Sequence, residues 1–411
     1  MVTPAPPLRD AATRHTAPTW RMWLLAAVVI LIGSLPVVLR YLVFWPLDQW
    51  QVDVEVYRQA GQSILVGRPI YAAMTESPQL LPSTYPPFAA ILAIPLALLP
   101  FGAIGWIWTA LQIAATAGIV WYAAYRLIHR AGARVPLLLA ALTVPMLWLH
   151  PVSDGIRFGQ VNAFIVLACL MDLRKPRPRL LRGIPEGVLV GLATAIKLTP
   201  GVFVVHYLVT RRWRMAAMAV GSAAVVTVLA WFVLPEDSFA FWGGALSDPT
   251  RLGPNGGTSN QSIRGLLMRV GPSGVAGTLL WLVLAGVVAV LGFWLSRRMY
   301  LLGDSIGEVA VVGLVANLVS PVSWIHHFHW IVVAIFALLG PDPRRDRRRL
   351  VAGLVITGWF LCRLPWWGVA WVAHRVPPEL VGRILQNSDT YAAVVTLVLL
   401  WWVARPRHVT P

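Results

Sequence analysis

Charge is what this chain has least of. Only 12% of its 411 residues are Asp, Glu, Lys or Arg, about half the share of an ordinary soluble domain. Lysine is nearly missing, with Lys175 and Lys197 alone, and there are 17 acids. The two cysteines, Cys169 and Cys362, each sit in an apolar block, so neither a disulfide framework nor a thiolate metal site is written here. No repeat of fixed period shows, which counts against an inverted-repeat transporter. The first apolar block lacks a small-residue cleavage site after it, so it is expected to stay as a helix and not to leave as a signal peptide. These scarcities exclude a soluble globular enzyme, a disordered chain and a fibrous one.

What remains is apolar. Hydrophobic residues make up 57% of the chain, and they come in blocks. A bilayer core takes about 20 helical residues. Clear blocks span 23–39, 102–125, 215–234 and 274–296. Shorter or interrupted ones span 88–99, 136–150, 162–173, 187–196, 201–210, 306–320, 330–339, 351–361 and 391–403. The net charge is +17, and 23 of the 34 Lys and Arg fall in clusters: Arg9, Arg14 and Arg21, then 126–134, 174–182, 211–214, 297–298, 344–349 and 405–407. All of these clusters lie on the cytoplasmic side if one block fails to cross. Block 88–99 is that one, short and bounded by Pro86, Pro87 and Pro100.

The expectation is an all-α polytopic membrane protein with about 12 transmembrane helices and one short or re-entrant helix. A single transmembrane domain, 23–404, lies between cytoplasmic tails 1–22 and 405–411. Outer loops fall at about 40–87, 150–161, 235–262, 321–329 and 363–390. Two short helices meet at a tip at 197–200, and 58–66 and 378–385 read as interfacial amphipathic helices. In a soluble chain this basicity would suggest nucleic acid; here it marks topology, and no nucleic acid partner is expected.

The unusual polar residues gather in the outer segments. Asp53 and Glu55 precede Tyr57 and Arg58 in an acid-poor chain; a carboxylate at a membrane cavity can serve as general base to a hydroxyl. Lys197 stands between two apolar helices, where a lysine needs a cavity or a partner, and a phosphate suits a point cation. His326, His327 and His329 end another block. Adjacent histidines are poor co-ligands for a metal, so hydrogen bonding to phosphate or sugar, or acid/base assistance, is the reading. Arg157, Arg264, Asn260 and Gln261 suit phosphate and hydroxyls, and Trp324, Trp366 and Trp367 could stack on a sugar or anchor in the interface.

In order along the chain stand Asp53-x-Glu55-x-Tyr57, Tyr85-Pro86-Pro87, Gly159-Gln160-x-Asn162, Lys197-x-x-Pro200, Asn260-Gln261-Ser262 and Ser320-Pro321-x-Ser323-Trp324-x-His326-His327. This order resembles the polyprenol-phosphate-mannose-dependent mannosyltransferases of the GT-C class. Within it the chain is similar to the actinobacterial α-1,2-mannosyltransferases of phosphatidylinositol mannoside synthesis, the PimE type, from about Trp23 to Val403.

The resemblance implies a bacterial plasma-membrane enzyme with its site on the outer face and no metal or other cofactor. It also implies a polyprenyl-phosphate-mannose donor, a mannolipid acceptor with a free 2-hydroxyl, and inverting transfer. Asp53 matches the family's catalytic acid, and His327 with Asp53 as orienter is a second route to the base. Glu55, Tyr57, Arg58, Tyr85, Gln160, Asn162, Lys197, Asn260, Gln261, Arg264, Trp324 and His326 are the expected substrate-binding residues. A transporter or flippase of lipid-linked sugars, and a related transferase acting on lipomannan or another acceptor, remain open alternatives.

Overall fold

The computed structural model describes residues 17–44 and 50–405. Most of the expected N-terminal tail (1–16), residues 45–49 of the first outer loop and positions 406–411 of the C-terminal tail lie outside these residues. Among the described residues, regular structure is helical apart from two isolated bridges, Met74 with Pro82 and Asn260 with Trp324.

Five helices are long and apolar enough to cross a membrane: Trp20–Tyr41, Phe101–Ala123, Tyr125–Trp148, Trp213–Val233 and Gly274–Leu301. A sixth results if Arg347–Leu361 and Leu364–Ala373, bent by 42°, count as one. Their outer faces explain the composition. Leu279, Val283, Val290 and Leu291 of the Gly274–Leu301 helix are each more than half exposed. A stripe of that width is untenable in water and at home against lipid tails. The chain is a multi-pass membrane protein.

The other expected crossings are helices too, but short. Asn162–Leu173, Ser305–Val319, Ile331–Leu339 and Ser388–Val403 run from 9 to 16 residues. Val188–Ile196 and Val202–Val209 have nine and eight. At 1.5 Å per residue these fall short of a bilayer core. Ser305–Val319 and Ile331–Leu339 are buried along nearly their whole length, Val311, Leu314, Ile331 and Val333 completely. A helix wrapped by protein need not match the lipid thickness.

Block 88–99 is two short helices, Pro87–Leu92 and Ile94–Ala97, broken at Ala93. The interfacial helix expected at 58–66 starts earlier, as Val52–Leu65, and the one at 378–385 is Glu379–Gln386. The segment expected as a loop at 150–161 differs: it holds a helix, His150–Phe158, buried from His150 through Arg157. Pro151 at its first turn and Gly159 at φ +72° just past its end are ordinary start and stop signals.

Two polar knots tie one end of the bundle. The Asp172 carboxylate accepts from the backbone N–H groups of Gly187 at 3.0 Å and Val190 at 3.1 Å. Glu308 Oε2 lies 2.9 Å from His206 Nε2 and 2.5 Å from Arg212 Nη2. Starting from those knots, Val188–Ile196 and Val202–Val209 run to the break at Lys197–Pro200, so Lys197 stands at the opposite end from the knots.

Candidate active site

The site begins with how the Val52–Leu65 helix is seated. Gln51 takes φ +60° ahead of it. Its N–H donates to the Arg157 carbonyl at 2.8 Å, and its side-chain amide donates to the Ile156 carbonyl at 2.8 Å and to Thr109 Oγ1 at 3.0 Å. At Gly159 a Cβ would meet Val54 Cγ2 at 2.3 Å and Gln51 Oε1 at 2.4 Å. Glycine lets the start of one helix lie on the end of the other. Asp53 and Asp154 thereby face one cavity of about 450 Å³.

Helical geometry settles which acid enters. Residues two apart on a helix diverge by about 200°. Asp53 turns into the cavity, while Glu55 takes a hydrogen bond from the Glu76 backbone and faces the Glu76 carboxylate. Burial raises the Asp53 carboxyl above its ordinary value; His326, a hydrogen bond from Gln160 and Lys197 pull it back, and Asp154 adds to the rise. Burial works to raise Asp154 too, but the neighbouring His326 imidazole, with His150 and Arg157 nearby, brings it below its ordinary value. Asp154 Oδ2 lies 3.6 Å from His326 Nδ1. The two acids are thus set apart: one is a stronger proton acceptor, the other a held anion.

Donors and a cation gather in the same cavity. Lys197 Nζ donates to Asn162 Oδ1 at 3.0 Å and lies 3.1 Å from His327 Nε2 and 5.5 Å from the Tyr85 ring centre. An ammonium only donates, so His327 Nε2 presents its lone pair and the imidazole is neutral. The His327 carbonyl accepts from Asn317. Burial lowers Lys197 to about 8, with Asp53 opposing the shift. Asn162 Nδ2 also donates to the His326 carbonyl at 3.0 Å and to Gln160 Oε1 at 3.3 Å. Tyr85 Oη is 3.4 Å from Gln160 Oε1 and 3.1 Å from Tyr57 Oη. Gln160 links them to Asp53, because its oxygen is committed to Asn162 and Tyr85 and its amide N–H to Asp53. Trp324 also lines the cavity.

Of the expected residues the structure therefore brings together Asp53, Tyr57, Tyr85, Gln160, Asn162, Lys197, Trp324, His326 and His327. It does not bring in the rest. Arg58 donates to the Leu99 carbonyl at 3.2 Å. Asn260 is buried, taking N–H bonds from Ser323 at 2.9 Å and Ser262 at 3.2 Å and giving to the Asn255 carbonyl. Gln261 donates to the carbonyls of Thr258 and Gln386 and accepts from Thr390. Both amides staple backbone, leaving nothing for a ligand. Arg264 lies over the Trp281 ring at 5.1 Å, and Arg157 over the rings of Phe158 and Tyr41. Two charged residues of the cavity were not among the expected site residues: Asp154 and Arg251. An acid amid apolar residues in so acid-poor a chain was the available signal for Asp154. Among the described residues no three His, Cys, Asp or Glu are grouped to hold a metal ion.

The sequence profile described as Glycosyltransferase family 87 matches residues 84–321, more than half the chain. The chain belongs to glycosyltransferase family 87. A polyprenol-phosphate-mannose-dependent alpha-(1-2)-phosphatidylinositol pentamannoside mannosyltransferase of Mycolicibacterium smegmatis is 34% identical to this family 87 member over 366 residues, 87% of this chain and 85% of that one. An enzyme of the same description from Mycobacterium tuberculosis (strain CDC 1551 / Oshkosh) is 32% identical over 407 residues, 96% and 90% of the two chains. The crystal structure of ArnT from Cupriavidus metallidurans bound to undecaprenyl phosphate covers 93% of this family 87 chain and 77% of that one, at 17% identity and a TM-score of 0.39. That likeness is too loose to carry site residues across.

Proposed function

We propose that this family 87 chain is a GT-C class inverting mannosyltransferase. It moves mannose from polyprenyl-phosphate-mannose to the 2-hydroxyl of a mannosylated phosphatidylinositol, in a step of the tetra- to pentamannoside type, on the outer face of a bacterial plasma membrane. The observation that carries the reading is the gathering of Asp53, Lys197 and Tyr85 on the lining of one cavity, with Asn162 holding Lys197.

The donor's phosphate sits at the Lys197 wall. An apolar groove of about 260 Å³ leads away from Tyr85 past Ala89, Leu92, Leu96 and Phe164, and suits a prenyl chain. The acceptor hydroxyl lies toward Asp53. In one displacement the acceptor oxygen bonds to the anomeric carbon, its proton passes to the Asp53 carboxylate, and the carbon–oxygen bond to phosphate breaks with its electron pair on the phosphate. The sugar passes through an oxocarbenium-like state. The leaving group needs no protonation, only stabilisation of its growing charge, which the preorganised Lys197 ammonium and Tyr85 hydroxyl provide. Asp154 holds His326, and His327 with Asn162 holds Lys197, so these residues position the charges without touching the reacting atoms.

The test is transfer in detergent from a short-chain polyprenyl-phosphate-mannose to tetramannosyl phosphatidylinositol, with Asp53→Asn alongside. Product from wild type and none from the folded variant is expected. Transfer surviving in Asp53→Asn moves the base to a histidine, His327 first. No transfer to any mannolipid acceptor sinks the assignment and returns a lipid-linked-sugar transporter to contention.

A further inference from the structure

A second cavity, about 950 Å³, opens beside the catalytic one. It lies between the end of the Val52–Leu65 helix, with the turn after it, and the stretch from Val233 to Ala245. The wall carries both signs of charge, with Arg68, Glu236, Asp237 and Asp248 around Tyr71. The Ile70 N–H donates to Asp237 Oδ1 at 2.8 Å, which pins one wall to the other. The Tyr71 ring packs against Phe241 at 5.5 Å and its hydroxyl donates to the Tyr85 carbonyl. The cavity is therefore built before any ligand arrives.

Arg251 stands where the two cavities meet and lines both. Its Nη2 donates to the carbonyls of Tyr71 at 2.7 Å and Ser83 at 3.2 Å. Its Nε is buried with no hydrogen-bond partner among the described residues, an N–H whose lost hydration is uncompensated.

The catalytic cavity thus continues in two directions of opposite chemistry. Past Tyr85 the walls are hydrocarbon. Past Arg251 apolar residues such as Pro69, Val233 and Pro235 are joined by carboxylates, guanidinium groups and a tyrosine, the set that binds neighbouring hydroxyls in pairs beside apolar sugar faces. We propose that the 950 Å³ cavity is the subsite for the sugars already on the acceptor, and that Arg251 guides the terminal sugar through to Asp53. Acceptor length is then read by Glu236, Asp237 and Arg251. The proposal rests on the transferase reading above.

Two measurements on the full chain test it, each on wild type, Glu236→Gln and Arg251→Gln. Glu236 is exposed and its variant is expected to fold. In the first, binding of a soluble α-linked mannotetraose is followed by tryptophan fluorescence. Saturable binding weakened about ten-fold in both variants is expected. In the second, KM is measured for a tetramannosyl acceptor, a single-mannose lipid acceptor and the donor. KM for the long acceptor should rise about ten-fold in both variants, while in Glu236→Gln, altered at a residue that lines the second cavity alone, the other two hold. No saturable binding to wild type, binding indifferent to both substitutions, or equal KM changes for both acceptors in Glu236→Gln would overturn the proposal. If wild type binds the mannotetraose in this substitution-sensitive way but transfers nothing, the subsite stands and the transferase reading fails.

Discussion

Lys197 gives the catalytic reading its sharpest test. Burial brings its ammonium down to about 8, so it is about nine-tenths charged at pH 7 and about one-tenth charged at pH 9. A hydrogen bond from a charged group contributes about 1.5–3 kcal/mol, which makes the neutral enzyme roughly 10- to 150-fold poorer at stabilising a phosphate leaving group. The donor kcat/KM should therefore fall about five- to ten-fold between pH 7 and pH 9. On the acid side Asp53 must be ionised, and its raised carboxyl places that limb above the ordinary aspartate value, with activity rising as pH rises through it. The assay is initial rate at subsaturating donor, from about pH 5 to pH 10. Lys197→Arg keeps its charge far beyond this range, so its alkaline limb should vanish even though its plateau is lower. Lys197→Gln should be slow at every pH, with no alkaline limb. An alkaline limb that stays near pH 8 in Lys197→Arg would refute the assignment, since another group would then be titrating.

Other outcomes follow from the same geometry. Glu55→Gln and Arg264→Ala should keep kcat/KM within about two-fold, because one side chain faces Glu76 and the other Trp281. Gly159→Ala should lower thermal stability in detergent by at least about 1–2 kcal/mol, the left-handed penalty alone, with the overlap on Val54 adding to it. Glu308→Gln leaves His206 and Arg212 without their carboxylate at the far end of the bundle. It should cost about 3–5 kcal/mol of stability and leave the pH profile of transfer in its place.

The parts of this molecule legible in the sequence were those governed by local rules. Hydropathy blocks located the helices, and Pro86, Pro87 and Pro100 bounded the piece too short to cross. Lys197 was conspicuous because a lone lysine between apolar helices must have a reason to be there. The unread parts depended on partners far away in the chain. Asn260 and Gln261 look like ligand-binding amides, but residue type does not say whether an amide meets a substrate or a backbone carbonyl; here distant Ser323, Gln386 and Thr390 take them. The pair Asp53 and Glu55 was ambiguous until the helix fixed the angle between them. Asp154 lies on a helix expected as a loop, and its role depends on His326, which stands far along the chain.

The two short helices that meet at Lys197 have a consequence for the lipid itself. Eight or nine residues cover only about 12–14 Å, less than half a bilayer's hydrocarbon thickness. Irregular backbone at such a depth persists only where protein or water surrounds it. With the inner ends of these helices at the cytoplasmic surface, as the proposed topology has them, a lipid whose phosphate reaches Lys197 would sink below its neighbours' headgroups, or the leaflet would dip to meet the protein. Thickness then becomes a variable of the reaction. Reconstitution in bilayers of graded acyl-chain length should show donor KM rising as the membrane thickens, while soluble mannoside binding stays constant.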